Sequence, residues 1–308
     1  MFTYLSMLES ILSTGKPKRE RGHFCRGLFA LNFDYDLSDG SFPLLTTRKL
    51  GMKSIAAELF CFLHGVTSKR TFRDVGTTIW DEWCNPVKVA HIPNADDRKR
   101  AMEEEDDLGP IYGFQWRSFG QYYQYACNHL GHIEHSNDSH AGDQLFDVLN
   151  DLRKNPDTRR MVVSAWCPIQ KHMQALPPCH VLWNLVHYDG VLNLAWHQRS
   201  CDMVLGVPYN IASYALLLLL LCKHAGLKPG SISGKLADAH IYLADPETGK
   251  GVNHLPGIRE QMSRQSLDAP KLKITEPRGS FDIFHWKPTD FELLNYTPYP
   301  PIKFEVAV

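Results

Sequence analysis

Residues 176–216 read LPPCHVLWNLVHYDGVLNLAWHQRSCDMVLGVPYNIASYAL. Cys179 follows two prolines and precedes His180. The runs 181–187 and 191–199 have the alternation and β-branched content of strands. The second delivers Arg199 and Ser200, with Asp202 two residues on. Residues 207–225 then read as a long apolar helix with Asn210 in its first turn. A thiol, a guanidinium, a carboxylate and a carboxamide this close together point to covalent chemistry on an anionic, hydrogen-bonding substrate.

Outward from this stretch, residues 2–14 carry the spacing of an amphipathic helix and 27–37 that of a strand. Helices are expected at 50–65, ending at Gly65, and at 143–154. Further strands are expected at 160–166 and 232–243. Neighbouring strands with few βαβ units indicate an α+β sandwich rather than a Rossmann fold, and no GxGxxG or P-loop pattern occurs. Patterned sequence runs without a linker, so one domain is expected over 1–308. Polar surface insertions are expected near 84–106, as a solvated helix, and near 121–142.

The chain has 308 residues, 44% hydrophobic and 22% charged, with a formal net charge of -1. That suits a sizeable core and excludes a global basic field for nucleic acid, so no DNA partner is expected. The eight cysteines are scattered without a CxxC pair, which reads as reduced thiols in a cytoplasmic compartment, or a host cytoplasm if the chain is viral. The N-terminus lacks a signal-peptide pattern. The longest apolar run, Ala215 to Cys222, is too short to span a membrane and reads as a buried helix, so no membrane partner is expected. Cys127, His129, His132, His135 and His140 cluster, but their spacing fits no standard zinc pattern and no metal is expected.

These residues sit in an ordered series of blocks: FPLLTTRKL (42–50), AELFCFLHGVT (57–67), TTIWDEW (77–83), DLGPIYGFQWRSFG (107–120), NPDTRRMVVSAW (155–166), ADAHIY (237–242) and KFEVAV (303–308). Together with 176–216 they resemble the thymidylate synthase family over about two-thirds of the chain. The resemblance implies a mixed β-sheet layer packed with helices, and a homodimer joined sheet to sheet. It also implies one-carbon transfer from 5,10-methylenetetrahydrofolate, a cosubstrate, to C5 of dUMP.

In that chemistry Cys179 adds to C6, which turns C5 into a nucleophilic carbon; sulfur suits the step because it adds and leaves reversibly. A nearby guanidinium, Arg199, is expected to lower the thiol pKa, while Cys201 reads as a packing residue. The Asn210 amide can donate to O4 and accept from N3–H of uracil, although an Asn at this place is also suited to cap the helix. Arg199 with Ser200, and the pair Arg159-Arg160, match a phosphate. By resemblance the pair reaches the neighbouring subunit's phosphate. The N-terminal phosphate ligand is Arg21, with Arg19 as the alternative, because KRERGHFCRG departs from the family's RTG motif. His240 and Tyr242 share one strand face and, by resemblance, hold the ribose hydroxyl.

Resemblance further assigns Ile79, Trp80, Trp83, Leu176, Asp202, Leu205, Gly206 and Tyr209 to the folate pocket, with the carboxylate of Val308 as a lid. Trp80 and Trp83 offer flat apolar surfaces with an N–H handle, although either tryptophan taken alone reads as a core residue rather than a folate platform. Asp202 would also take part in the chemistry by bonding the pterin. Glu58, Tyr112, His180 and Asn210 match the family's proton relay, and a carboxylate on the apolar helix AELFCFL is costly to bury without partners.

Departures flank the site: Cys167 replaces the Asn of SAWN, Ala237-Asp238 replaces Gly-Asp, Ala244-Asp245 stands where Asn-His follows the tyrosine, and Tyr209 replaces Phe. Two other outcomes therefore stay open. One is a dUMP hydroxymethylase, in which water resolves the methylene intermediate. The other is a silent paralogue that only binds nucleotide or RNA. The intact Cys179, Glu58 and His180 speak against the second.

Overall fold

The computed structural model describes residues 2–123, 142–275 and 281–307. Its helices are α1 (Phe2–Thr14), α2 (Met52–Leu63), α3 (Lys69–Asp74), α4 (Pro86–Val89), α5 (Ala95–Glu104), α6 (Tyr112–Ser118), α7 (Gln144–Lys154), α8 (Val207–Ala225) and α9 (Leu255–Ser263). Its strands are β1 (Lys16–Glu20), β2 (His23–Asp36), β3 (Val162–Ser164), β4 (His180–Tyr188), β5 (Val191–Gln198), β6 (Cys201–Asp202), β7 (Lys228–Tyr242), β8 (Lys271–Ile274) and β9 (Phe291–Leu294). A mixed sheet runs β1-β2-β7-β5-β4-β3, with β6 paired to the far end of β7, and β8 and β9 form a separate ladder. β5 and β6 both run parallel to β7; the other neighbours are antiparallel. This is the expected α+β architecture.

Alternation positions the site. Along β5 every second residue is buried: Leu192, Leu194, Trp196 and Gln198. That face receives α8, whose Leu216, Leu217, Leu218, Leu220 and Leu221 are fully buried. Each contributes about 1.5–3 kcal/mol, which outweighs any helix propensity in fixing α8 against the sheet. α8 is long and apolar enough to cross a membrane, but two-thirds of its apolar window (67%) is buried inside the protein, the pattern of a core helix. Gly226, at φ 69°, ends it in the left-handed conformation that glycine adopts without strain. Trp196 stacks on Tyr214 of α8 at 4.9 Å. The close approach of β7 requires Gly234, because an added Cβ would lie 2.3 Å from the Trp196 ring.

The stretch 84–106 contains α4 and α5, and α5 buries no side chain. β2 and β7 each start four residues before their expected limits, and β1, α3, α6, α9, β8 and β9 are additions to the sequence reading. Most of the insertion expected at 121–142, including the Cys127–His140 cluster, lies outside the described residues, as does Val308.

Candidate active site

Cys179 immediately precedes β4, where two prolines bring the chain onto the sheet. Its amide donates to the Tyr112 hydroxyl at 2.7 Å. Arg199 closes the turn from the other side: its Nε and Nη2 donate to the carbonyls of Pro178 (2.9 Å) and Pro177 (2.7 Å), and its amide donates to the Cys179 carbonyl (2.8 Å). Burial pushes the thiol pKa up, and the guanidiniums of Arg199 and Arg21 pull it down. The arginine acts in the expected direction, yet burial wins, so the thiol lies above its ordinary value rather than below. The expectation of a lowered pKa is corrected accordingly.

His180 is the first residue of β4, and its ring sits between Tyr112 (5.1 Å) and Tyr214 (5.5 Å). Burial pulls its pKa down to about 4, with a hydrogen bond to Asn210 opposing, so the imidazole is neutral near pH 7. Asn210 does not cap α8: Gly206 holds the cap, and Asn210 lies one turn inside. Its Oδ1 accepts from Gln198 Nε2 at 3.0 Å. Gln198 is itself buried and set by the Ser200 carbonyl (3.1 Å) and the Trp196 indole (3.3 Å). The glutamine therefore fixes which way the carboxamide points. Sequence reasoning missed it, although its place in the buried register of β5 was a usable signal.

Glu58 projects from α2 and accepts from Trp80 Nε1 at 3.0 Å. Burial raises its pKa to about 7, against which the Trp80 bond acts. Burial likewise pushes Tyr112 well above its ordinary value. Trp80 is only 5% exposed, packed among Phe62, Phe72 and Tyr112. Its rings belong to the core, as the residue taken alone suggested, and its N–H is committed to Glu58. Ile79 is exposed, and Trp83, Leu176, Leu205, Gly206 and Tyr209 are half-buried. One oxygen of Asp202 accepts from the amides of Val204 (2.8 Å) and Leu205 (3.0 Å), which sets the turn into α8.

His240 and Tyr242 lie on β7 with their rings edge to face at 5.3 Å. Asp202 pairs with His240 across the β6–β7 ladder, joining the two regions. Arg21 sits at the β1–β2 turn with φ 47° and hydrogen-bonds the Tyr242 side chain. Arg19 pairs instead with Asp245 and Glu247, so Arg21 is the arginine directed at the site. Ser200 is half-buried beside Arg199. Arg159 and Arg160 are exposed before the edge strand β3, and no ion pair among the described residues holds either. The Asn-His pair sought at Ala244-Asp245 recurs at Asn253-His254 after a turn. The His254 amide donates to the Tyr242 carbonyl at 3.0 Å, and the two rings meet at 5.8 Å. Among the described residues no group of three His, Cys, Asp or Glu side chains is arranged to hold a metal.

A thiol under the charge of two guanidiniums, a neutral imidazole and a carboxyl titrating near neutrality are groups suited to serve as a nucleophile and a proton relay in an addition–elimination reaction. The family pattern described as thymidylate synthase matches residues 2–308. Thymidylate synthase 1/2 of Encephalitozoon cuniculi (strain GB-M1) is 38% identical over 305 residues, covering 99% of this chain and 96% of that protein. The chain belongs to the thymidylate synthase family and is a methyltransferase enzyme.

Proposed function

We propose that the protein converts dUMP to dTMP, with 5,10-methylenetetrahydrofolate supplying both the carbon and the hydride and leaving as dihydrofolate. The observation that carries this reading is Cys179 held by Tyr112 and Arg199 under the charge of two arginines. A bound phosphate lies between guanidiniums and leaves them a smaller share for the thiol, so thiolate formation is coupled to how the nucleotide sits. Cys179 then gives up its proton to water as its sulfur bonds C6, and the C5=C6 π pair moves onto C5 and O4, which makes C5 nucleophilic.

Asn210, oriented by Gln198 and His180, reads the 4-oxo group and N3–H. A neutral His180 keeps that network free of a competing charge. Glu58, with a pKa near 7, alternates between acid and base at physiological pH and takes up the C5 proton through water. C5 bonds the folate's methylene carbon, and loss of the C5 proton breaks the carbon–nitrogen bond to tetrahydrofolate and leaves an exocyclic methylene. Hydride from tetrahydrofolate to that carbon expels the Cys179 thiolate from C6, giving the methyl group, dihydrofolate and the free enzyme.

Arg21, Arg199 and Ser200 meet the phosphate, and His240 and Tyr242 meet the ribose. The second oxygen of Asp202 is available to the pterin edge. Ile79, Trp83, Leu176, Leu205, Gly206 and Tyr209 offer an apolar wall for the folate rings. Reduction rather than water addition is supported by this wall and by the named relative.

The functional unit is a homodimer. Phe29 (88% exposed) and Tyr188 (69%) project from the sheet, and Val191, Asn193, Ala195 and His197 line the face opposite α8. A second copy on that face would cover them and bring Arg159 and Arg160 to the other subunit's phosphate. The seven free thiols among the described residues fit a cytoplasmic compartment.

Incubation with dUMP and methylenetetrahydrofolate, followed by mass spectrometry, tests the reading. Methylated nucleotide with dihydrofolate is expected; hydroxymethyl nucleotide with tetrahydrofolate overturns it. Cys179→Ser should abolish turnover and leave dUMP affinity within a few-fold.

A further inference from the structure

Lys69 takes no part in the site described above, yet it is only 1% exposed. It opens α3, and its ammonium donates to three backbone carbonyls: Asp81 at 3.1 Å, Met102 at 2.6 Å and Glu103 at 3.2 Å. An ammonium has three protons, and this arrangement uses all of them. Met102 and Glu103 belong to the last turn of α5, where carbonyls lack helical partners and the helix dipole is negative. Asp81 lies inside a turn closed by Asp81 N to Thr78 O and Trp83 N to Trp80 O, both at 3.1 Å.

One buried cation thus joins the last turn of α5 to the turn at Asp81, beside the Asn85–Asp107 hydrogen bonds (2.7 and 2.9 Å) that follow both segments and the Arg73–Asp81 pair (2.8 Å) on the turn. α5 buries no side chain. The turn lies between Trp80, fixed on Glu58, and Trp83, half-buried. Burial draws the Lys69 ammonium below its ordinary pKa. A methionine would fill the same space without that penalty. The charge is useful only because it organises the carbonyls around it.

We propose that Lys69 is a positioning residue that ties α5 to the Trp80–Trp83 turn and so sets the folate-facing wall of the site. The inference rests on the assignment of that wall under the proposed function. It makes the surface insertion part of cosubstrate recognition.

Lys69→Met removes the three donors and keeps the length of the side chain. The expected result is a KM for methylenetetrahydrofolate raised about tenfold, with kcat lowered less than threefold and the dUMP dissociation constant unchanged within twofold. Hydrogen exchange should quicken in peptides covering 79–85 and stay unchanged in 231–242. A purely structural lysine would move all kinetic constants together or none, and either result in the folded variant overturns the proposal. Should Lys69→Met not fold, Lys69→Gln, which retains two N–H donors, is measured in its place. It should show the same selectivity at about threefold, and an unselective loss overturns the proposal equally.

Trp83→Ala separates failure of the proposal from failure of the underlying reading, because Trp83 is the half-buried wall residue of that turn. Unaltered folate KM in that variant, or no dTMP from the unsubstituted enzyme, sinks the assignment of the wall itself rather than the role of Lys69.

Discussion

Replacing Glu58 with glutamine should make the enzyme nearly inactive and, at neutral pH, more stable. The carboxyl titrates near its ordinary 4.5 in the unfolded chain and at about 7 when folded. A folded-state pKa raised in this way reverses the usual carboxylate sign. Between the two values the unfolded chain has lost the proton that the folded protein still binds, so stability falls as pH rises through the window. Above about 7 both states are ionised and the loss is complete. The gap corresponds to roughly 3 kcal/mol or slightly more. In the Glu58→Gln variant the side chain has no proton to lose, and its amide oxygen can still accept from Trp80.

The difference in unfolding free energy, variant minus unsubstituted, should therefore be near zero at pH 4 and grow to roughly 3 kcal/mol by about pH 7.5. His180 also titrates near pH 4, but it is common to both proteins and largely cancels. Urea denaturation at half-unit pH steps measures the curve. In parallel, kcat should fall by about 10²–10⁴, the range for loss of a general acid–base group. Parallel stability curves from pH 4 to 8 would refute the claim that Glu58 is held protonated by burial.

Asn210→Asp should shift preference from dUMP toward dCMP, because a carboxylate accepts where the amide donates; competition kinetics with the two nucleotides measures it, and an unchanged preference means another group reads the base. Mixing Cys179→Ser and Arg160→Ala chains should restore activity, since one site in the mixed dimer combines an intact thiol with an intact neighbouring arginine. Losing one guanidinium–phosphate contact costs about 1.5–3 kcal/mol, so the assay belongs at low dUMP. Mixed dimers, verified by sedimentation, with no activity above background would assign the arginines to their own subunit or to none.

The parts of the fold legible in the sequence are those where burial dictates periodicity. The predicted limits of α8 coincide with those observed because nearly every turn is apolar. β5 was legible because one of its faces is wholly buried. β1, all exposed or half-exposed over KPKRE, carries no such signal; it is a strand only because β2 pairs with it. The partners that enclose Trp80 were not legible for a related reason. Nothing local reveals that Phe62, Phe72 and Tyr112 surround it. Arg21 was separated from Arg19 only by Asp245 and Glu247, which lie more than two hundred residues away. Gln198 escaped notice because its work is done on a helix that approaches from the next part of the chain.

The absence of a side chain at Gly234 bears on how this lineage can vary. Trp196 fills the space where a Cβ would stand, Tyr214 stacks on Trp196, and His180 rests against Tyr214. Even one added methyl would push the indole toward the phenol and the phenol toward the imidazole. Positions 234, 196 and 214 are therefore coupled through their packing, and a change at one constrains the others. A lineage can exchange a glycine and a tryptophan for two residues of intermediate size only by passing through an ancestor whose active-site histidine is displaced. That intermediate would be selected against by its chemistry before it was selected against by its stability.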